Sequence, residues 1–506
     1  MYAHINTASI DHLAAKQIKV EVASYNGLPG IKITGLPDNI VKESFYRIST
    51  AFKACKIDMP LKRFVINFIP ADVPKKGSGF DLPIAAALLT SIGVIPKDAL
   101  ARHLLYGELS LTGEVRPVSG VLPIVNFAQK NFDKVIIPYL NLNEVCFFRD
   151  RTVPVKHLDD LINFAVTGNI DAKAKIEDAE NTTIENNLER KTFTHYKDFS
   201  DVIGQPVAVR CAEISVAGKH HILLIGSPGC GKSMIGERIA GIMPPLTKQD
   251  KLEVNSIYSI AGLLGDSNNI IDDPPYRSPH HTITDSALIG GTRIGEITLA
   301  HKGVLFLDEL SEFKHNVLNA LREPLEKGTI DISRSSYCHK MPADFLLIAA
   351  SNPCNCWNYL KKDSSCNCSS LSMERFKRRL NGPLMDRFDI KLVMTVPKVT
   401  TDEFCTNNPE NKNSSARIKE RILNSIRFRE EIKQKGIKQK ITDSARNILD
   451  KHMSTGTLSL RNLRKAINVA KTIASLEQST NIEENHILES INYTRPILTQ
   501  NSNITA

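Results

Sequence analysis

A chain of 506 residues with 42% apolar side chains exceeds one ordinary domain and calls for about two to four globular units. It has no run of about 18 apolar residues, which excludes a membrane-spanning helix, and Met1–Asn6 lacks the basic start and apolar core of an export signal. The ten cysteines are therefore expected as reduced thiols or metal ligands in a cytoplasmic protein, and the net charge of +9 only hints at a polyanionic partner.

Residues 1–168 mix strand and helix patterns. Gln17–Ser24 alternates as a strand does, Gly30–Gly35 looks like its neighbour, and Phe64–Phe68 and Lys134–Pro138 are further strands. Asp38–Cys55 is helix-like, opened by Pro37-Asp38, and Asp81–Ile92 is apolar enough for a buried helix. Pro74-Lys75-Lys76-Gly77-Ser78-Gly79-Phe80-Asp81 and the stretch Gly107–Gly120 resemble the proteolytic domain of Lon-type proteases. That resemblance implies a ribosomal S5 domain 2-like α+β fold and a Ser–Lys dyad. By this alignment, however, the serine's place falls on Gly79, with Ser78 one residue early, and the lysine's place reads Val121-Leu122-Pro123. A serine without an adjacent base is a poor nucleophile. The expectation is a Lon-like fold without peptidase activity, with Ser78 as a turn residue. Residues 169–197, charged and poor in large apolar groups, read as a linker.

Residues 198–398 carry the strongest chemical signal. Gly226-Ser227-Pro228-Gly229-Cys230-Gly231-Lys232-Ser233 fits the phosphate-binding pattern G-x-x-x-x-G-K-[ST]. It follows the apolar run His221–Ile225 and precedes the helix-permissive Met234–Ile242, the strand–loop–helix context that the pattern needs. Backbone N–H groups of such a loop turn inward around phosphates, Lys232 supplies a cation to the β- and γ-phosphates of ATP, and Ser233 offers a hydroxyl to Mg²⁺. The run Gly303–Leu307 ends in Asp308-Glu309: Asp308 is expected to hold Mg²⁺ and Glu309 to polarise the attacking water. Asp344–Asn352 is the next strand, and Glu326–Arg334 with Cys338–Phe345 reads as a hairpin before it. Asp201–Gln205 is a short turn ahead of a helix, Pro206–Ala217.

Three strings run into the Asp308 strand: Arg277-Ser278-Pro279-His280-His281-Thr282-Ile283-Thr284, Leu288–Gly291 and Gly295–His301. With Asn352-Pro353-Cys354-Asn355-Cys356 and Arg379–Leu384, they resemble the ComM/YifB family of magnesium-chelatase-like AAA+ ATPases over nearly the whole chain. The resemblance implies a P-loop α/β core with a parallel sheet and a C-terminal helical lid, here residues 416–506 after a linker at 399–415. It implies that Asn352 orients the water as sensor 1, and that Arg387, in Leu384-Met385-Asp386-Arg387-Phe388-Asp389, is an arginine finger for the next subunit. Arg461 then takes the sensor 2 place on the lid, with Arg464 and Lys465 as rivals, and the Gly204-Gln205 turn the adenine pocket. Family members are bacterial cytoplasmic proteins and include a hexameric branch-migration helicase of natural transformation, so single-stranded or branched DNA and a homo-hexamer are the implied partners. A chelatase-like or chaperone-like motor that remodels a protein for metal insertion is the alternative.

Two further groups stand out. Cys354, Cys356, Cys366 and Cys368 form C-x-C-x9-C-x-C, four soft donors suited to Zn²⁺. Trp357 and the basic residues Lys361, Lys362, Arg375, Lys377, Arg378 and Arg379 nearby suit a nucleic-acid strand or a solvated face equally. His280 and His281 are adjacent and lack the i, i+4 spacing of a helical metal pair; the family resemblance implies a DNA- or subunit-facing role for them instead. The C-terminal region reads as basic helices, Ala416–Gln434, Ser444–His452, Leu460–Leu476 and Glu483–Tyr493.

Overall fold

The computed structural model describes residues 2–495 apart from 170–195, 265–269, 292, 335–336, 353–383, 398–412 and 457. The chain forms two compact units, one of residues 1–193 with 251–271, the other of residues 194–250 with 272–506. Most of the expected linker at 169–197 and most of that at 399–415 lie outside the described residues.

The first unit is built on a seven-stranded sheet of order β3-β4-β2-β1-β5-β8-β9. Its centre is a long antiparallel hairpin of β1 (Tyr2–Asp11) and β2 (Ala14–Tyr25), paired from Tyr2↔Ala23 to Asp11↔Ala14. The strands β3 (Gly30–Thr34) and β4 (Arg63–Ile69) extend one side; β5 (His103–Leu105), β8 (Lys134–Pro138) and β9 (Thr152–Val155) extend the other. β6 (Glu108–Leu109) and β7 (Val115–Arg116) make a separate small ladder. Helix α1 (Asn39–Ala54) starts where expected because Asp38 accepts a hydrogen bond from the Val41 N–H at 2.8 Å. Helix α2 (Asp81–Ile92) is buried all round and shares one core with β2, β4 and α1. Helices α3 (Val121–Ala128) and α4 (Leu158–Thr167) complete the unit.

The positions that correspond to a Lon dyad are closed. A Cβ added at Gly79 would run into the Tyr106 ring, which is itself buried. Val121-Leu122-Pro123, at the lysine's place, form the first turn of α3, and the Leu122 N–H donates to the Glu144 carboxylate at 3.1 Å. Burial pushes the Glu144 carboxyl up while its bonds from Ser259, Asn141 and Leu122 pull it down.

The second unit has a five-stranded sheet, every ladder parallel, of order β11-β12-β15-β10-β16. Its strands are β10 (Ile222–Gly226), β11 (Tyr276–Arg277), β12 (Val304–Leu307), β15 (Leu346–Ser351) and β16 (Ile390–Met394). β10, β12 and β15 are buried along their whole length, as parallel strands covered on both faces must be. Helices α5 (Pro206–Gly218) and α6 (Lys232–Ile239) flank the sheet, and α7 (Lys248–Ile260) runs on into the segment that belongs with the first unit. A hairpin of β13 (Thr329–Arg334) and β14 (Tyr337–Pro342) precedes β15, as expected. Asp344 falls between strands, where its carboxylate takes Lys302 Nζ at 3.0 Å.

The C-terminal region is helical: α8 (Ser415–Gln434), α9 (Asp443–Ser454), α10 (Leu460–Leu476) and α11 (Glu484–Thr494). Ionic contacts tie it to α5. Glu213 is 3% exposed and accepts from Arg421 Nε at 2.5 Å and from Arg210 Nη1 at 3.3 Å. Arg210 also reaches Glu477 and Glu489, each at 3.2 Å. Removing the buried carboxylate takes one acceptor from each guanidinium while Arg210 keeps Glu477 and Glu489, so Glu213→Ala is expected to cost about 2 kcal/mol. Urea melts of the two proteins check this; an unchanged midpoint would remove Glu213 from the clasp.

Candidate nucleotide site

The loop after β10 is shaped for phosphate. A Cβ on Gly226 would lie 2.5 Å from the Met394 carbonyl oxygen and 2.6 Å from Cys230 Sγ, so the loop leaves the sheet only with glycine there. Gly231 caps α6 at φ +94, a conformation that L side chains avoid. Lys232 is the first residue of α6 and is buried; its Nζ donates to the carbonyls of Gly226 at 2.8 Å and Ser227 at 3.0 Å. The ammonium is thus held across the loop, where incoming phosphate oxygens replace carbonyls as its acceptors. Gln205 Nε2 donates to the carbonyls of Cys230 at 3.0 Å and Thr395 at 2.7 Å, anchoring the Asp201–Gln205 turn to the same loop.

The sheet register brings the acids to this loop. β12 and β10 flank β15, with Leu307↔Ala349 and Ile225↔Ser351 paired, so Asp308 and Asn352 emerge at the same edge as Gly226. Ser233 Oγ donates to Asp308 Oδ2 at 2.6 Å, and Asp308 Oδ1 takes the Glu309 N–H at 2.9 Å. A hydroxyl beside a carboxylate at a phosphate loop is an oxygen-only donor set, which fits Mg²⁺. Glu309 sits in the left-handed region at φ +51, rare for a residue with a side chain, and is half exposed.

One neighbour of Glu309 is absent from the sequence reading. His281 Nδ1 lies 3.6 Å from Glu309 Oε2, and the His280 and His281 rings are 4.0 Å apart at their centroids. Arg277 sets this loop by forking onto Glu296, at 2.6 Å and 2.7 Å. Two of the family strings therefore meet through one bidentate pair, and His301, which ends the second of them, accepts the Asp344 N–H at 3.1 Å.

The other two arginines lie elsewhere. β16 pairs with β10 from Ile222↔Ile390 to Gly226↔Met394, and Arg387 precedes Ile390, at the edge where β10 begins. A five-residue strand, roughly 13 Å long, separates that edge from the loop. Arg387 forms an ion pair with Glu326. Burial, then the nearby Arg461 and Arg322, lowers its pKa. Arg461 Nη1 lies 2.5 Å from Asp386 Oδ2, so the lid arginine joins Arg387 at this edge. Lys465 donates to the carbonyls of Asp386 at 2.6 Å and Phe388 at 2.7 Å, and burial lowers its pKa to about 8. The rival Lys465 is thus committed to holding the turn that carries Arg387.

Cys354, Cys356, Cys366 and Cys368, Trp357 and the basic run from Lys361 to Arg379 lie outside the described residues. No described helix is long and apolar enough to cross a membrane.

Three family models match in series. Subunit ChlI of Mg-chelatase covers residues 20–141, magnesium chelatase subunit ChlI covers 198–404, and its C-terminal part covers 408–494. The chain is 35% identical to the uncharacterized protein YifB of Salmonella typhimurium, over 97% of this chain and 96% of that one. It is 34% identical to the competence protein ComM of Haemophilus influenzae, over 95% of this chain and 94% of that one. An archaeal Lon protease of Thermoplasma acidophilum is 29% identical over 167 residues, 32% of this chain and 25% of that one.

Proposed function

Because the chain belongs to the ComM/YifB family of magnesium-chelatase-like AAA+ ATPases, we propose that it is a Mg²⁺-dependent ATP hydrolase that works as a cytoplasmic homo-hexamer on single-stranded or branched DNA. The observation that carries the hydrolase reading is the Ser233–Asp308 bond beside Lys232, with Glu309 one residue on. In this reading Ser233 and Asp308 hold the metal ion, which neutralises phosphate charge. Lys232 holds the β- and γ-phosphates, Asn352 aims the water, and Glu309 takes its proton. Gly226 to Gly231 line the phosphates with backbone N–H groups. Lys232→Ala is expected to lose ATP binding; unchanged affinity for a fluorescent ATP analogue would defeat the loop's assignment.

The position of Arg387 and Arg461 supports the ring. Both lie at the sheet edge away from their own phosphate loop, so in this reading both serve the nucleotide of an adjacent protomer. The DNA reading rests on the relative named a competence protein and on the excess of basic residues in the lid, sixteen Lys and Arg against nine Asp and Glu over 416–506. ATP turnover with and without single-stranded, duplex and four-way-junction DNA tests it. Stimulation by DNA is the expected result, and affinity for duplex should fall with salt at a log–log slope of roughly −0.9 per phosphate contact. A turnover indifferent to every DNA but raised by a porphyrin-binding protein would favour the chelatase-like alternative instead. Peptidase activity is not part of the proposal: Tyr106 fills the space beside Gly79, and Val121-Leu122-Pro123 stand at the lysine's place. Casein cleavage abolished by Ser78→Ala would overturn that. Zinc at Cys354, Cys356, Cys366 and Cys368 is proposed from their spacing alone; metal analysis of the quadruple Cys→Ser variant should show about one zinc per chain fewer.

A further inference from the structure

The first unit gathers a thiol, an imidazole and a carboxylate that the nucleotide chemistry does not use. Cys55 is the C-cap of α1, His157 is the N-cap of α4, and Asp159 is in the first turn of α4. One donor atom from each lies within 4.8 Å of the other two. We propose that Cys55, His157 and Asp159 hold a divalent transition-metal ion of the zinc class.

The fold brings the thiol to the Nε2 side of the His157 ring and the Asp159 carboxylate to its Nδ1 side. The turn between β6 and β7 puts the Thr112 carbonyl oxygen 3.2 Å from His157 Nε2 and 3.9 Å from Cys55 Sγ, so ring and thiol converge on a single oxygen. The next residue, Gly113, leaves the space open: a Cβ there would lie 2.6 Å from Cys55 Sγ and 3.0 Å from His157 Nε2, at a φ of +93. His157 is fixed as well. Its N–H donates to Asp160 Oδ2 at 2.9 Å, the following N–H, of Leu158, donates to the Gly113 carbonyl at 2.9 Å, and Asp159 Oδ2 stands 3.1 Å from Nδ1. The β6–β7 turn and the start of α4 are therefore bonded to each other through their backbones before any ion arrives, and Cys55 meets that turn through its thiol.

The donor set selects the class of ion. Thiolate and imidazole are borderline-to-soft donors that favour Zn²⁺ over Mg²⁺ or Ca²⁺. A thiolate and a carboxylate together match the ion's double charge. Zinc bonds of roughly 2.0–2.3 Å need only an inward adjustment of side chains already this close. Asp159 is 63% exposed, which gives the ion an entry path from solvent.

The test reads Cys55 itself, so metal bound at other cysteines does not interfere. The full-length chain is stripped with chelator, alkylated with iodoacetamide with and without added zinc chloride, and the Cys55 peptide is quantified by mass spectrometry. Zinc should slow its labelling by about 10-fold or more, and His157→Asn or the exposed Asp159→Asn should weaken the zinc concentration needed by roughly 10–100-fold. Magnesium chloride at the same concentration should leave labelling unchanged. Labelling of Cys55 that is indifferent to zinc in the folded wild-type chain would overturn the proposal, as would protection that survives both substitutions unaltered. The His157→Asn variant keeps a side chain able to cap α4, and unchanged circular dichroism confirms that it reports on metal rather than on folding.

Discussion

Glu309→Gln is expected to bind ATP and Mg²⁺ about as well as the wild-type chain and to hydrolyse the nucleotide roughly 10²–10⁴-fold more slowly. The separation follows from geometry. The proposed Mg²⁺ donors are Ser233 and Asp308, whose 2.6 Å bond does not involve the Glu309 side chain; Glu309 contributes only its N–H to Asp308. An amide of the same shape therefore leaves the proposed metal donors in place and removes the carboxylate assigned to take a proton from water. Backbone strain at φ +51 is common to Glu and Gln, so the substitution adds none. Phosphate release at saturating ATP, with affinity measured by a fluorescent analogue, separates the two effects. Normal turnover would take Glu309 out of the reaction. Asp308→Asn is the contrasting variant: it should raise the Mg²⁺ requirement, because it alters a donor to the ion.

The parts of this site that were legible in the sequence are those encoded within a few neighbouring residues. The phosphate loop needs glycines at fixed offsets between a buried strand and a helix, and Gly226 to Ser233 supply them in one stretch. Asp308-Glu309 was readable because a buried strand ending in two acids is likewise local. The hairpin before β15 and the lid helices followed from periodicity. What was missed depends on tertiary contact. The strand β1 is central to its sheet, yet its buried Asn6, Thr7 and Ser9 break the apolar alternation. Asn6 and Ser9 are tolerated because folding supplies partners: Asn6 donates to the Ala101 carbonyl at 2.8 Å and Ser9 to that of Pro74 at 3.0 Å. The approach of His281 to Glu309 depends on the Arg277–Glu296 fork, which no spacing rule announces. The placing of residues 251–271 with the first unit was equally hidden, because α7 is an unbroken helix across that boundary. Strand order was hidden too, and it bears on the proposed roles of the arginines: the β10–β16 register sets Arg387 and Arg461 at the edge away from the loop.

That placement makes Arg387→Ala the sharpest test of a shared site. The substitution should leave ATP binding by its own subunit nearly intact, because the strand's length separates Arg387 from Lys232 and Ser233. Hydrolysis should nevertheless fall by roughly 10³ or more, since the charge that develops on the γ-phosphate loses a guanidinium supplied from the adjacent protomer. Arg387 is prepared for such a role: its turn is held by Lys465 through two carbonyls, and its Nε has no hydrogen-bond partner among the described residues. Lys232→Ala fails in the opposite way, losing its own nucleotide while keeping its finger. Mixing the two inactive proteins should therefore rebuild interfaces that join the phosphate loop of the Arg387→Ala chain to the finger of the Lys232→Ala chain. Recovered ATPase activity in the mixture, absent from either protein alone, is the expected result. If native mass spectrometry shows mixed rings and no activity returns, Arg387 acts within its own chain or holds structure only. Its ion pair with Glu326 would then be the whole of its role, and the ring would lose its chemical rationale.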